Sequence, residues 1–418
     1  MEKKLLHTPV GVRDIYGEEC AKKLHIQSKI HNVLSSYGYR DIQTPAFEFF
    51  DIFSKEKGSV LSKNMYKFFD REGNTLVLRP DMTPSIARAA SKYYMDEDMP
   101  IRFCYTADSF INNSEYQGKL KQFTQEGAEL IGDNTSDADA EIVVMVIDAM
   151  LTAGLKEFQI EIGQVDFFNG IVEETGVDDD TKEKLHELIE IKNFFGVEEL
   201  ISDTDIPEDK KKVFLSFSEL FGSLDMLDRA AALTSNKKAL KALERLVTLY
   251  HILEEYGYEK YVSFDLGMLS NFHYYTGVIL KAYTYGTGDA IVTGGRYDSL
   301  IKQYGKSAPA IGFAINVDQL MVALSRQKIE VAVDYSSSMV LYKTTYQKQA
   351  IKFATEMRSK GHKIVLMRNR SSISEEQYKE YALRMGIDKV YTIISADKMR
   401  VDDYSNNSTE ERNIGTEE

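Results

Sequence analysis

The sequence is poor in cysteine and histidine, and this excludes several classes of site. Its 418 residues include two cysteines, Cys20 and Cys104, which lie far apart in the chain. Two cysteines cannot form a disulfide-stabilised scaffold or a zinc site built from several thiolates. The seven histidines are scattered, with no pair at the helical spacing typical of metal sites. We therefore expect neither a metal site nor a cofactor.

The sequence has no long apolar runs, and it has fewer basic than acidic residues. The N-terminal segment MEKKLLHTPVGVRD has no apolar core of signal-peptide length, and no run approaches a membrane span. We therefore expect a cytoplasmic protein without membrane contact. The 51 Lys and Arg against 65 Asp and Glu give a formal charge of −14. This charge disfavours general nucleic-acid binding, although a local basic patch is still compatible with it.

The order of the predicted elements indicates an α+β core with a helical insertion. The patterns predict an amphipathic helix over residues 17–38, a hairpin over 67–80, a helix beginning near Pro84 and another helix over 137–151. Strands are predicted over residues 101–110, 121–131, 158–162, 261–266, 274–285, 290–293 and 310–315. Residues 170–258 have a helical pattern rich in Lys and Glu. This order favours an antiparallel sheet flanked by helices over an alternating parallel sheet.

The composition of the chain changes towards its C-terminus. Residues 335–400 follow a β-α-β-α-β pattern, which predicts a small α/β domain with three strands. Residues 401–418 are polar and acidic, and we expect this tail to be disordered. The sequence thus predicts a core over residues 1–326, a small domain over 335–400 and a disordered tail.

Six ordered segments resemble the catalytic core of histidyl-tRNA synthetase. They extend from about Thr8 to Leu320 and read TPVGVRDIYGEE, YGYRDIQTPAFE, LRPDMTPSIAR, GKLKQFTQEGAELIG, GGRYDSLI and APAIGFAINVDQL. Six ordered matches over most of a chain are far more specific than one short motif. The resemblance implies the class II aminoacyl-tRNA synthetase fold, which is usually dimeric. It also suggests that residues 335–400 are a shortened remnant of an anticodon-binding domain.

The sequence departs from the synthetase pattern at three arginine positions. Guanidinium groups at these positions stabilise the triphosphate of ATP and the charge that develops on its α-phosphate. The resemblance places them at Ile111, Ser270 and Gln319, none of which is basic. Losing one such contact costs about 2.7–4 kcal/mol in a transition state. The resemblance therefore implies a synthetase fold without catalytic residues for aminoacylation.

A synthetase-like core without these arginines resembles the regulatory subunits of ATP phosphoribosyltransferase, the first enzyme of histidine biosynthesis. This resemblance implies a non-catalytic chain that activates a short-form catalytic subunit and mediates feedback by histidine as effector. It also implies a self-dimer within a hetero-octamer of four regulatory and four catalytic chains. Under this hypothesis the chain binds no tRNA.

The histidine side of the synthetase site is better retained than the ATP side. An amino-acid ammonium is held by carboxylates and carbonyls, and an imidazole is held by an acceptor or a tyrosyl hydroxyl. Gln125 and Glu129 are four residues apart, so they point to one face of a predicted strand. The other candidates match positions that the resemblance assigns to histidine contact. The full set of predicted histidine-binding residues is Asp81, Thr83, Gln125, Glu129, Tyr274, Tyr275 and Arg296.

Each candidate also has a structural interpretation. Asp81 and Thr83 could cap the helix that follows them, a common role for these residue types. Glu129 could pair with a lysine on the strand face. The two tyrosines could be core aromatics on opposite faces of a strand. Arg296 could bridge two strands instead of binding a carboxylate.

Two other functions are compatible with the sequence. One is a divergent histidyl-tRNA synthetase, which an ATP–pyrophosphate exchange assay distinguishes from a regulatory subunit. The other is a binding protein of different purpose, because one scaffold hosts many roles. The pattern of retained and lost site residues favours the regulatory hypothesis over both.

Overall fold

The computed structural model describes residues 6–54, 60–113, 119–202, 204, 206–269 and 275–415. The chain divides into two units, Met1–Val331 and Ala332–Glu418. Two of the positions singled out from the sequence, Ser270 and Tyr274, lie outside the described residues. In the described ranges, no helix combines the length and the apolar character needed to cross a membrane.

A large sheet forms the core of the first unit. Among the described residues, its strands are β1 (Arg40–Asp41), β5 (Ile101–Phe110), β6 (Gln122–Ile131), β7 (Phe158–Gln164), β8 (Phe221–Gly222), β9 (Val262–Asp265), β10 (Val278–Thr284), β11 (Val292–Arg296) and β12 (Ala310–Asn316). Their spatial order is β1-β5-β6-β12-β11-β10-β7-β9-β8. The pairs from β5 to β7 are all antiparallel, whereas β1 runs parallel to β5 and β9 runs parallel to β7. The predicted antiparallel core is therefore confirmed, with a parallel strand pair on either side of it.

Helices with apolar faces flank this sheet, as the sequence predicted. They are α1 (Gly17–Ser36), α2 (Asp51–Ser54), α3 (Thr83–Tyr93), α4 (Ser136–Ala153), α11 (Asp298–Lys302) and α12 (Val317–Arg326). On α1 the buried residues are Ile26, Ile30 and Leu34, four residues apart, so they form one stripe along the helix. This stripe packs α1 against α4 and against β5 and β6 of the sheet.

A small second sheet lies before α3 and determines where that helix begins. It consists of β2 (Phe47–Phe49), β3 (Lys67–Phe69) and β4 (Thr75–Leu78) in the order β2-β4-β3, all antiparallel. β3 and β4 are the predicted hairpin. Because α3 begins at Thr83, five residues after β4 ends, Asp81 and Thr83 lie in the connection between the hairpin and the helix.

Helices fill the region that the sequence predicted as a helical insertion. In the described part of that region they are α5 (Val165–Thr175), α6 (Asp179–Glu190), α7 (Phe194–Ser202), α8 (Glu208–Ser216), α9 (Asp225–Ala231) and α10 (Lys237–Tyr256). α10 packs against α4 and α5, so the insertion is joined to the core. The short strand β8 lies between α8 and α9 and pairs with β9 at the edge of the main sheet.

The second unit is a separate α/β structure. Its described strands are β13 (Ser337–Tyr342), β14 (Ile364–Arg368), β15 (Ile387–Ile393), β16 (Lys398–Asp403) and β17 (Ser408–Asn413), and its helices are α13 (Gln347–Ser359) and α14 (Glu375–Arg384). The strand order is β14-β13-β15-β16-β17. The first three strands are parallel, which matches the predicted β-α-β-α-β pattern.

The prediction of a disordered tail over residues 401–418 is wrong for the part that the structure describes, which ends at residue 415. β16 and β17 form an antiparallel hairpin that extends the sheet from β15. Met399 and Val401 are buried in the same cluster as Val340 and Phe353. The hairpin is easily missed because only alternate residues of β16 enter the core, while most of β17 is exposed. The small domain therefore extends beyond residue 400.

Candidate functional site

A cavity of about 180 Å³ opens beside the centre of the main sheet. Its lining comes from β6, β11 and β12 and from the segments that precede α3 and β10. Five of the seven predicted histidine-binding residues are part of this lining: Asp81, Thr83, Gln125, Glu129 and Tyr275. Residues distant in the chain thus meet in one cavity, and their role in histidine binding stays a prediction.

The strand β6 places two of these side chains. Gln125 and Glu129 both line the cavity, in agreement with the two-residue period of a strand. Gln125 accepts a hydrogen bond from the Ser109 hydroxyl at 2.6 Å through its carboxamide oxygen. The carboxamide NH2 of Gln125 is then the group that a ligand in the cavity can use as a donor.

Glu129 is held by hydrogen bonds from two sides of the cavity. It is 1% exposed. Its carboxylate accepts a hydrogen bond from the Thr83 hydroxyl at 2.8 Å and another from the Tyr297 hydroxyl at 2.6 Å. The side chain of Thr83 therefore contacts Glu129, and the backbone N–H of Thr83 donates to Asp81 at 3.5 Å.

A glycine on the neighbouring strand makes room for the Glu129 carboxylate. Gly312 of β12 is directly opposite Glu129 of β6. A Cβ atom added at Gly312 would lie 1.7 Å from Oε2 of Glu129, far inside van der Waals contact. The carboxylate therefore occupies the space that any other residue at position 312 would fill.

The cavity combines acidic groups with a scarcity of positive charge. Burial raises the pKa of Glu129 to about 8, and the charge of Asp81 adds to the rise, while the hydrogen bonds from Tyr297 and Thr83 oppose it. Among the described residues of the lining there is no lysine or arginine. The described lining therefore suits a positively charged ligand better than a negatively charged one.

Two tyrosines interact with Glu129 although the sequence did not single them out as ligands. Tyr297 donates its hydroxyl to Glu129, and Tyr105 of β5 is fully buried with no hydrogen-bond partner for its hydroxyl among the described residues. Burial, followed by the charges of Glu129 and Asp81, raises the pKa of Tyr105 well above its usual value. The sequence could have indicated Tyr297, because consecutive residues of an extended segment point to opposite faces. Tyr297 directly follows Arg296, so the two side chains cannot both face the cavity. No such indication existed for Tyr105.

Arg296 lies outside the lining of this cavity, and its assignment as a histidine-binding residue stays a prediction. Its guanidinium is buried and donates to the Asp139 carboxylate of α4 at 2.6 and 3.1 Å and to the backbone oxygen of Asp133 at 2.9 Å. Asp139 is fully buried and also accepts a hydrogen bond from Arg245. The structure thus favours the structural interpretation, in which Arg296 ties β11 to α4.

Of the positions where the synthetase pattern has an arginine, one lies in the cavity lining and another lies away from it. Ile111 lines the cavity with an apolar side chain. Gln319 lies in α12, half-buried and away from the lining, with its backbone N–H capped by the side chain of Asn316.

Comparisons with known proteins agree on one family. The family model of histidyl-tRNA synthetase matches residues 11–320 of the chain. A regulatory subunit of ATP phosphoribosyltransferase from Acetivibrio thermocellus is 40% identical over 95% of this chain and 94% of its own length. Another from Ruminiclostridium cellulolyticum is 39% identical over 100% of this chain and 99% of its own. The chain belongs to the ATP phosphoribosyltransferase regulatory subunit family.

Solved structures support the same fold. A protein from Bacillus halodurans, described as an ATP phosphoribosyltransferase regulatory subunit/histidyl-tRNA synthetase, matches with a TM-score of 0.84 and 29% identity over 94% of this chain and 99% of that one. Histidyl-tRNA synthetase from Nostoc matches with a TM-score of 0.79 and 20% identity over 97% and 96%. The second match concerns the fold alone. The predicted class II synthetase-like fold is confirmed, and this regulatory-subunit family is the one that the sequence resembled.

Proposed function

We propose that this chain is a regulatory subunit of ATP phosphoribosyltransferase without catalysis of its own. In this proposal it activates a short-form catalytic subunit, and histidine bound in the cavity reverses the activation. The observation that carries the proposal is the charge of the lining, where the described residues include Asp81 and Glu129 but no lysine or arginine. Such a lining suits an ammonium group and disfavours a triphosphate.

The cavity offers a partner for each polar group of histidine. In our proposal the ammonium group faces the carboxylates of Asp81 and Glu129. The carboxamide NH2 of Gln125 donates to the ligand, because the oxygen of that carboxamide already accepts from Ser109. Tyr275, which also lines the cavity, supplies an aromatic wall for the imidazole. Tyr274 is retained as a candidate contact from the resemblance.

The loss of aminoacylation is part of the same proposal. Ile111 puts an apolar side chain in the lining where the synthetase resemblance places a phosphate-binding guanidinium. A transferring phosphoryl group needs fixed positive charge in a site that excludes water. We infer that ATP is not activated in this cavity and that tRNA is not a partner.

The assembly follows the family resemblance. We propose that two copies of this chain pair through the region around residues 38–45, and that four copies assemble with four catalytic chains in the cytoplasm. In this proposal histidine acts on the catalytic subunit by favouring one of two states of the assembly. A ligand shifts such an equilibrium only when its affinities for the two states differ.

The test is the formation of phosphoribosyl-ATP by a short-form catalytic subunit, measured without this chain, with it, and with added histidine. Strong activation that histidine reverses is the expected result. A Glu129→Gln chain should still activate the catalytic subunit but respond weakly to histidine. A Gln122→Ala chain should respond normally, because the Gln122 side chain bonds to Asp108 at an exposed position. No activation, together with no co-elution of the two chains, would contradict the proposal.

A histidine-dependent ATP–pyrophosphate exchange assay separates the regulatory function from a divergent synthetase. We expect no exchange above background, because the cavity lining lacks the cationic groups that stabilise the α-phosphate. Exchange at a rate well above background, abolished by Glu129→Gln, would establish the synthetase alternative instead.

A further inference from the structure

A second cluster of polar side chains lies on the other face of the main sheet. We call it the helix-side cluster, and it consists of His31 of α1, Asp41 of β1, Cys104 of β5 and Glu126 of β6. Consecutive strand residues point to opposite faces, so Glu126 faces away from the cavity that Gln125 lines. The cluster is therefore distinct from the proposed histidine site.

Three members of the helix-side cluster bring ligand atoms close together. Nε2 of His31 lies 2.8 Å from Oδ1 of Asp41, and Sγ of Cys104 lies 3.8 Å from the same oxygen. All three ligand atoms lie within 4.8 Å of one another. The strand register explains this, because Asp41 is directly opposite Cys104 in the parallel pair β1 and β5.

Glu126 is the fourth member, and its environment is unusual for a carboxylate. It is 0% exposed, and neither of its carboxylate oxygens has a hydrogen-bond partner among the described residues. Thr106 is directly opposite in β5, and its hydroxyl interacts with the carboxylate more weakly than a regular hydrogen bond. A buried ionised carboxylate without a partner is costly unless it takes up a proton or a cation compensates its charge.

The register brings Glu126 to the side of Cys104. Glu126 is opposite Thr106, two positions from Cys104 on the same face of β5, so the two side chains are diagonal neighbours. Burial raises the pKa of the Cys104 thiol to about 12, and the carboxylates of Asp41 and Glu126 add to the rise. The Asp41 carboxylate thus lies beside the sulfur, whereas the Glu126 carboxylate lies outside the group of ligand atoms within 4.8 Å of one another.

We propose that the helix-side cluster binds a divalent transition metal of the zinc class, with His31, Asp41 and Cys104 as ligands and Glu126 as the fourth. One imidazole, one thiolate and two carboxylates are donors that Zn²⁺ accepts in tetrahedral sites. Ligand atoms around such an ion lie about 3.3–3.6 Å apart, given bond lengths of about 2.0–2.3 Å. The observed separations of 2.8 and 3.8 Å need only small shifts to reach that geometry.

The elements that carry the ligands allow such shifts. His31 and Asp41 are partly exposed, with 36% and 67% of their side chains accessible, so both can turn without disturbing the core. Cys104 and Glu126 belong to the long paired strands β5 and β6, so their backbones are fixed, and the Glu126 side chain has to turn towards the ion to become the fourth ligand. A bound ion would join α1 to three strands of the sheet and compensate the buried carboxylate.

The test uses the full chain, stripped with a chelator and then titrated with ZnCl₂ and, separately, with CoCl₂. We expect one tightly bound equivalent of metal after dialysis, an increase in the unfolding temperature, and a thiolate-to-cobalt charge-transfer band. Cys104→Ser and His31→Ala should each weaken binding by about a hundredfold or more, since even the outer partners of metal ligands change affinity by about 10–100-fold. Glu126→Gln should weaken it by at least about tenfold.

The matched controls are the other cysteine and another histidine of the same helix. Cys20→Ser and His25→Ala should bind Zn²⁺ like the unmodified chain. His31→Ala changes a half-exposed helical residue, so it keeps the test valid if Cys104→Ser fails to fold. Failure to retain zinc, or equal binding by the cluster variants and the controls, would overturn the proposal. Unchanged affinity in Glu126→Gln would overturn the assignment of the fourth ligand.

Discussion

At the scale of single residues, burial decides the protonation of Glu129. A carboxyl group whose pKa is about 8 is mostly protonated at neutral pH in the free chain. It can then share hydrogen bonds with Thr83 and Tyr297 without a charge of its own. A ligand ammonium would reverse this balance, because it favours the ionised form.

Removal of the Gln125 carboxamide tests the proposed contact with histidine. Gln125→Ala should weaken histidine binding by about tenfold, because a hydrogen bond to a charged group contributes about 1.5–3 kcal/mol and 1.4 kcal/mol corresponds to a factor of ten. Gln122→Ala, on the same strand but outside the cavity lining, should leave the affinity unchanged. Isothermal titration calorimetry measures both. Equal affinities for the two variants would contradict the assignment.

The raised pKa of Glu129 predicts that histidine binding releases a proton. Below about pH 8 the free chain holds this proton, and the ligand ammonium favours its loss, so affinity should rise with pH until about pH 8. Calorimetry at pH 7 in buffers of different ionisation enthalpy measures the proton released. Protons released by the imidazole of the ligand are common to the unmodified chain and to Glu129→Gln. The difference between the two chains therefore gives the proton released by Glu129. Identical proton release in both chains would show that Glu129 does not titrate on binding.

At the scale of elements, the site depends on how close neighbouring strands lie. The pairing of β6 with β12 puts Glu129 opposite Gly312, and the carboxylate uses the space of the missing side chain. The contact between β11 and α4 depends instead on the buried ion pair of Arg296 with Asp139. We expect a change at the first contact to affect histidine binding, and a change at the second to affect mainly stability.

Gly312→Ala should remove histidine binding by displacing the Glu129 carboxylate. The added methyl group overlaps Oε2 of Glu129, and such overpacking typically lowers the free energy of unfolding by about 1–3 kcal/mol. Gly288→Ala is the control, because an added Cβ there meets no atom within 4 Å. Calorimetry and thermal unfolding report the two effects. Normal affinity in Gly312→Ala would mean that the carboxylate position is unimportant for the ligand.

Arg296→Met should lower stability and leave histidine binding in place. Breaking one partner of a buried ion pair typically costs about 3–5 kcal/mol in the free energy of unfolding, since the other charge is left uncompensated. The remaining contact of Asp139 with Arg245 puts the expected loss at the lower end of that range. The control Lys119→Met breaks an exposed pair and should cost at most about 1 kcal/mol.

Urea unfolding of the two variants measures these losses, and calorimetry on the folded proteins measures binding. A stable Arg296→Met chain that no longer binds histidine would restore Arg296 as a ligand and contradict the structural interpretation.

At the scale of the whole molecule, the chain consists of two units with separate cores. The cavity and the helix-side cluster both belong to the first unit. The second unit has its own buried clusters on the two sides of its sheet, one around Val340 and Phe353 and one around Met339 and Tyr378. The two proposed sites therefore require only residues of the first unit.

Truncation of the C-terminal hairpin tests this division. A chain ending at Ser395 loses Met399 and Val401 from the core, so its second unit should unfold. A chain ending at Tyr404 keeps both residues and loses the edge strand β17 together with the partly buried Ile414, so it should stay folded. Both chains should bind histidine with normal affinity. Limited proteolysis measures folding of the second unit, and calorimetry measures histidine binding. Loss of binding in the chain that ends at Ser395 would show that the site depends on the second unit.

The sequence by itself determined the class of fold and most of the candidate site. Period-two spacing placed Gln125 and Glu129 on one face of a strand, and the ordered motifs placed Asp81, Thr83 and Tyr275 beside them. The identity of Ile111, Ser270 and Gln319 could be read directly, because charge is a property of the residue alone. Such features are local, so no long-range contact is needed to infer them.

Other features were decided only by the tertiary structure. The orientation of the Arg296 side chain depends on Asp139 of α4, which lies more than 150 residues earlier in the chain. The β16–β17 hairpin is ordered because β15 lies beside it, and its own polar sequence gives little sign of this. The helix-side cluster joins side chains from one helix and three strands, so neither His31 nor Cys104 is conspicuous in the sequence. Contacts of this kind depend on register and packing between distant segments, and a local pattern does not contain that information.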